Sequence, residues 1–335
     1  MSRMFPFRPA RQTGFSLIEL MVALVLGLLV VGAAIGIYLS NRQTYATTQS
    51  LGRMQESARV AFELMARDIR EAGGNPCDSS LVPNNITDAV SSSTPTGASW
   101  FLSLNQPLYG FEGSDASAPS HVAGTDVIQL VGPAAGARSV TVDTTAATAA
   151  VTYAPGTPAF ADNQGVMICD MKVLGVFKAN GASTTGTSGT VSYAAGSGRN
   201  ACGYFPYPNT GVCAGTGTSY QFGKFAQLTA IQGVRWFVRD PDNNAANGYS
   251  LYRQVDNGSP QEVTQGVQDL QITYLTDTGY VTADSIASAD AWNSVRAVRI
   301  DMTVQDSEKV GTDGTSSQPI VRQVEHVVTL RNRVL

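Results

Sequence analysis

Histidine is scarce in this chain, with two in 335 residues, so the usual general base at neutral pH is represented only by His121 and His326. His121 stands in a Pro/Ser/Gly stretch with no acidic orienter at a telling spacing, and His326 shares a strand face with Val324, Val328 and Leu330, which favours packing over catalysis. GxSxG and HExxH are absent, and GTSYQFGK puts one residue too many between Gly217 and Gly223 for a phosphate-binding loop. The four cysteines, Cys77, Cys169, Cys202 and Cys213, contain no CxxC pair, so metal ligation is not expected. Asp240, Asp242 and Asn244 begin like a calcium loop. However, Ala245 replaces the sixth-position glycine and Leu251 the twelfth-position glutamate, which rejects an EF-hand. No cofactor and no enzyme activity are expected. Charged residues make up only 14% of the chain against 43% hydrophobic. Arg3, Arg8 and Arg11 carry the first 14 residues to +3, while the remainder, with 19 basic and 26 acidic side chains, stands at -7. An acidic body argues against nucleic acid as a partner.

What the chain does have is a long apolar run. Leu20 to Leu39 reads LMVALVLGLLVVGAAIGIYL, twenty residues without a charge, enough to cross a bilayer as a helix. The basic residues before it predict a cytoplasmic start and an outward C-terminal body. Three readings of the segment compete: a signal-anchor, a signal peptide removed near Ala33 or Ala34, and a signal cut before the apolar run. Glu19 stands alone at the head of the run. A carboxylate there costs a few kcal/mol unless a helix N-terminus or a nearby amine compensates. Gly32 and Gly36 form a GxxxG spacing that permits close helix contact in lipid. Beyond Leu39, apolar residues recur every three to four positions at Tyr45, Leu51, Met54, Ala58, Ala61, Phe62, Met65 and Ile69. That spacing predicts one continuous helix over 15–72, stopped by Gly73, Gly74 and Pro76.

After residue 75 the pattern changes to alternation at period two, clearest at Val298, Ile300, Met302 and Val304, with similar runs at 127–131, 166–177, 234–239, 251–255, 270–274 and 320–330. The predicted fold class is α+β: a long N-terminal helix packed on an antiparallel β-sheet head with long loops. Residues 79–98, 132–165 and 179–220, rich in Ser, Thr, Gly and Ala, are predicted to be mostly surface loop. In an exported chain the four cysteines form two disulfides with three possible connectivities, of which Cys77–Cys169 with Cys202–Cys213 is preferred. Tyr204, Phe205 and Tyr207 fall between Cys202 and Cys213, where aromatics on a stapled loop are candidates for a partner contact.

The run RQTGFSLIELMVALVLG, with Gly14 before Phe15 and Glu19 five residues into the chain that would remain, resembles the prepilins of type IV pili and the pseudopilins of type II secretion. MARDIREAGG, LYGFEG, GTDVIQLV, SLYR, VQDLQITY, AVRIDMTV and VVTLRN narrow the resemblance to the PilW family of minor pilins, related to the J-type pseudopilins. The resemblance implies cleavage of Gly14–Phe15 by a prepilin peptidase, N-methylation of Phe15, and a role for Glu19 in neutralising a neighbouring subunit's amine during assembly. It implies a leader at 1–14, a transmembrane or filament-core half helix at 15–40, an amphipathic half at 41–74 and a β-rich head at 75–335. The head would lie in the periplasm while the chain waits in the inner membrane, and at the cell surface once in the pilus. Implied partners are other minor pilins, the major pilin and a large tip adhesin of the PilY type. Implied roles are the priming of pilus assembly, a place at the tip, twitching motility and adhesion. A J-type pseudopilin of type II secretion and a membrane-anchored adhesin or hydrolase outside any filament are the alternatives.

Overall fold

The computed structural model describes residues 14–77, 86–90, 93–137, 140–146, 149–153, 160–185, 188–196, 200–207, 218–241, 248–309 and 319–331. One helix, Leu17–Glu71, runs for 55 residues without a proline, about 82 Å at 1.5 Å per residue. It ends as expected: Gly73 adopts a φ of 71° that favours glycine, and its N–H donates to the Val131 carbonyl at 2.8 Å. The helix end therefore docks on the strand Val127–Pro133. A Cβ at Gly132 would stand 2.6 Å from the Glu71 carbonyl oxygen, so the approach depends on that glycine.

Only the second part of the helix is covered. Its buried face is Ser50, Met54, Ala58, Ala61, Met65, Asp68 and Ile69, a three-to-four-residue stripe. Tyr45 and Leu51, predicted to share that face, do not. Leu51 sits about 100° round the helix from Ser50 and Tyr45 lies below the head, leaving them 36% and 71% exposed respectively. The stripe packs on a four-stranded antiparallel sheet in the order Gly279–Val281, Val267–Thr276, Ala297–Lys309, Pro319–Thr329. Leu270, Ile272 and Tyr274 alternate with Val298, Ile300, Met302 and Val304 on the face that meets the helix, each residue at period two. Burying a methionine or isoleucine there contributes about 2 kcal/mol.

Among the described residues, twelve of the other strands form a second sheet around Gln227–Arg239, a 13-residue strand whose two halves have different neighbours. Residues 227–231 pair with Gly165–Cys169 and, at Gln227 and Leu228, with Val140–Ala146. Residues 231–236 pair with Val127–Pro133 and residues 234–239 with Ser250–Val255, both antiparallel. One pairing is parallel, Ile86–Asp88 with Leu174–Lys178. The Ser/Thr/Gly-rich stretches differ from expectation. Val140–Ala146, Ala150–Tyr153, Ala182–Thr185 and Ser188–Ser192 are strands of this sheet, and Phe205–Tyr207 pairs with Thr218–Tyr220. The reason is their β-branched content: Val142, Val151 and Val191 alternate with small polar residues and are buried to 1% or less.

Candidate assembly site

The sequence singles out the N-terminal segment, and the structure leaves it bare. Phe15 is 85% exposed, Leu17 78% and Ile18 70%, and the apolar stretch of the helix, at a hydropathy of 2.8, has none of its residues buried by the rest of the chain. Exposed apolar surface on that scale needs lipid or other helices to cover it. Glu19 lies in the first helical turn, where the N–H groups are open: Ser16, at the cap, makes no side-chain hydrogen bond to them. A carboxylate at that end is favoured by the helix dipole and lies one turn from Phe15. Around Gly32 and Gly36 a Cβ would meet nothing within 4 Å, so among the described residues the GxxxG pair has no packing partner.

The motifs that mark the head do structural work instead. Asp68, from MARDIREAGG, is buried at 6% exposure. It accepts hydrogen bonds from Trp236 Nε1 at 3.0 Å and Arg253 Nε at 2.8 Å, Arg253 belonging to SLYR. One carboxylate thus ties the helix to two strands of the larger sheet. Asp126, from GTDVIQLV, accepts the N–H of Gly113 at 3.0 Å and of Ile272 at 2.8 Å, joining LYGFEG to VQDLQITY. Glu112 accepts the Ala283 N–H at 2.6 Å. These acids were not singled out from sequence; for Asp68 the signal available was an acidic residue at a position where helical spacing demands an apolar one, between Met65 and Ile69.

Cys77 and Cys169 form a disulfide, with Cα atoms 6.1 Å apart, between the segment after the helix and the strand Gly165–Cys169. Cys213 lies outside the described residues, so the second pairing, to Cys202, is not described; Cys202 is buried at 5% exposure. Of the three aromatics expected on a partner surface, Phe205 is instead 1% exposed, packed edge-on against Phe177 and Phe222 and tilted against Tyr193. Tyr204 and Tyr207 are half-buried against the same cluster. The physical reason is the short pairing with Thr218–Tyr220, which turns Phe205 inward. The 240–251 segment, rejected from sequence as an EF-hand, lies in part outside the described residues, and among the described residues no cluster of metal-ligating side chains occurs.

Both histidines are held by contacts within the head. His121 contacts the carbonyls of Pro119 at 2.7 Å and Gly113 at 3.4 Å. His326 is half-buried and stacks on Phe62 of the helix with ring centroids 3.8 Å apart.

Two families match the chain by their models. Residues 9–35 match the prokaryotic N-terminal methylation motif, which holds Gly14, Phe15 and Glu19. Residues 236–332 match type IV pilus-assembly protein W, a stretch that spans the whole four-stranded sheet beneath the helix and the return strand Ser250–Val255. Both families are structural components of pili. No curated protein and no solved structure matches the chain.

Proposed function

We propose that the chain is a member of the PilW family of type IV pilus-assembly proteins, a reading supported by the methylation motif at 9–35 and the pilus-assembly protein W match at 236–332, and from that premise its action follows. The chain is a minor pilin that is held in the inner membrane by residues 15–40, with the head from residue 75 in the periplasm and 41–74 linking the two. A prepilin peptidase removes residues 1–14 by cutting Gly14–Phe15, and Phe15 receives the methyl group. Glu19 then neutralises the new amine of a neighbouring subunit as the helix leaves lipid for the filament. Other minor pilins, the major pilin and a large tip adhesin of the PilY type are the partners. The complex primes the pilus, stays at its tip and supports twitching and adhesion. Cys202–Cys213 is the second staple.

The observation that carries this reading is Glu19, the one charged residue between Phe15 and Arg42, in the first turn of a helix whose apolar length is wholly uncovered by its own head. A membrane-anchored protein that works alone has no use for a carboxylate there. Mass spectrometry of the purified protein tests it: the expected N-terminus is N-methylated Phe15. A chain that begins at Met1, or near Ala34, would remove the basis for the proposal.

A further inference from the structure

The four-stranded sheet under the helix ends differently on its two sides. On one side is Gly279–Val281, three residues long. On the other is Pro319–Thr329, eleven residues that pair only with Ala297–Lys309, in unbroken register from Val321 to Thr329 and with no proline after the first position. Hydrogen-bond alternation decides which of its backbone groups are in use. In Val267–Thr276 the Ile272 N–H donates to Asp126 Oδ2 and the Leu270 carbonyl accepts the Asp126 N–H, so the even residues of that strand point away from Ala297–Lys309. Its odd residues therefore bond Ala297–Lys309, whose even residues bond the edge strand in the pairs Val298–Val328, Ile300–His326, Met302–Val324 and Val304–Arg322. The Leu330 N–H, which donates to the Arg296 carbonyl at 2.9 Å, continues the same series. Val321, Gln323, Glu325 and Val327 are left with N–H and C=O groups aimed off the edge, and no described residue bonds them.

Apolar surface lies on both sides of that row. Facing the helix, a groove of about 350 Å³ is lined by Met54, Ala58 and Phe62 of the helix and by Val304, Val324 and His326 of the sheet. On the opposite face, Val321 and Val327 are 55% and 47% exposed, two of the four large apolar side chains that the described part of the head leaves open. A strand added about 4.8 Å beyond the edge would send alternate side chains into the groove and set the others beside the two valines.

We propose that Pro319–Thr329 is a docking edge that takes up an extended segment of another pilus subunit as a fifth strand, main chain to main chain, with apolar side chains at alternate positions of that segment filling the groove. The identity of the partner rests on the pilus reading. The occupant is a strand because the outward donors and acceptors match an extended backbone, and neither a lipid chain nor the side of a helix offers the complementary row. A second copy of the same edge fits poorly. Antiparallel pairing of two such edges needs a two-fold axis normal to the sheet, and the helix lies along the sheet face, so the two anchors would run in opposite directions. Parallel pairing needs an axis along the strand, which would turn the copy's Gln323 and Glu325 into the apolar groove.

The test uses the full-length chain in cells that assemble pili, with the photoreactive amino acid p-benzoylphenylalanine at Val321 in one strain and at Val327 in another, both within reach of the next strand position. Irradiation is expected to join both to one other subunit, at sites that mass spectrometry maps to a single segment with apolar residues at every second position. Gln323→Pro removes an outward N–H and leaves every bond to Ala297–Lys309 in place, so it is expected to cut the adduct about tenfold. Gln323→Ala keeps that N–H and should leave the adduct within about twofold. Slow hydrogen exchange at Val324, His326 and Val328 in detergent-held protein reports that the sheet of each variant has folded. Exchange in the parental chain is an independent reading: the Gln323 and Glu325 amides are expected to slow at least about tenfold between the purified chain and its complex with other minor pilins. Adducts to lipid or to a second copy, adducts indifferent to Gln323→Pro in a folded variant, no adduct, or equally fast Gln323 and Glu325 amides in the complex would each overturn the docking edge. An uncut Gly14–Phe15 bond in the same samples counts against the pilus reading instead, and adducts that still depend on the Gln323 N–H would then keep the edge, with a partner from outside a pilus.

Discussion

Asp126 is a carboxyl group placed where its charge is least welcome. It is 4% exposed, and burial, reinforced by Glu112 and Asp269, raises its pKa to about 6 despite the two N–H groups it accepts. An unfolded aspartate titrates near 3.9, about two pH units lower. The folded state therefore holds the proton more tightly than the unfolded one, so the stabilisation is full below about pH 4 and is lost as pH rises towards 6, at a cost of up to about 3 kcal/mol. In detergent-held full-length protein, the denaturant midpoint is expected to fall between pH 4 and 6.5. Asp126→Asn should flatten that fall, and an unchanged slope in the variant would assign the effect elsewhere. Asp68 meets the same problem differently, with Arg253 supplying a compensating charge at 2.8 Å. Neither role was legible in the sequence, because the partners are remote: Trp236 lies 168 residues from Asp68 and Arg253 lies 185.

Elements differed in how far they could be read in advance. The helix was legible because a twenty-residue apolar run and a Gly-Gly-Pro stop are local signals. The three long strands of the four-stranded sheet were legible because one face is buried under the helix and the other is wet, which writes an alternating pattern, whereas the three-residue strand Gly279–Val281 is too short to carry one. The weak strands between 140 and 192 were not, since Thr and Ser serve loops and strand faces alike and only the alternating valines separate the two. The Cys77–Cys169 link was preferred among open connectivities, and its consequence lies at this scale. It closes a loop of 92 residues between the helix end and the strand Gly165–Cys169. Replacing both cysteines by serine is expected to lower stability by about 4 kcal/mol, in the chain-entropy account of long loops. Hydrogen exchange should then accelerate first in Gly165–Cys169 and in the last helical turn. A variant as stable as the parent would mean that the two elements are held by packing alone.

At the scale of the whole molecule, one helix divides into a half covered by the head and a half left uncovered, and the proposed assembly role rests on the uncovered one. Glu19→Ala keeps every apolar residue of the anchor, so the variant is expected to remain in the membrane fraction at the parent level. Co-purification with other minor pilins should drop at least about tenfold, the effect of losing one desolvated charge pair. Normal co-purification would remove Glu19 from the mechanism. The Gly14 to Glu19 region could be proposed from sequence because its chemistry is contiguous, whereas the surfaces of the head are assembled from distant segments.

The stretch between Leu39, where the apolar run stops, and Ser50, the first buried residue of the helix, has a mechanical meaning. Its ten residues span about 15 Å and are exposed except at Gln43, Ala46 and Thr47, which are half-buried. With the proposed anchor in a bilayer whose headgroup layer takes up roughly 6 Å of that span, the body would ride clear of the lipid on a short rigid boom. Pulling the subunit outward would then strip lipid only from the rod, without dragging the body against the membrane face.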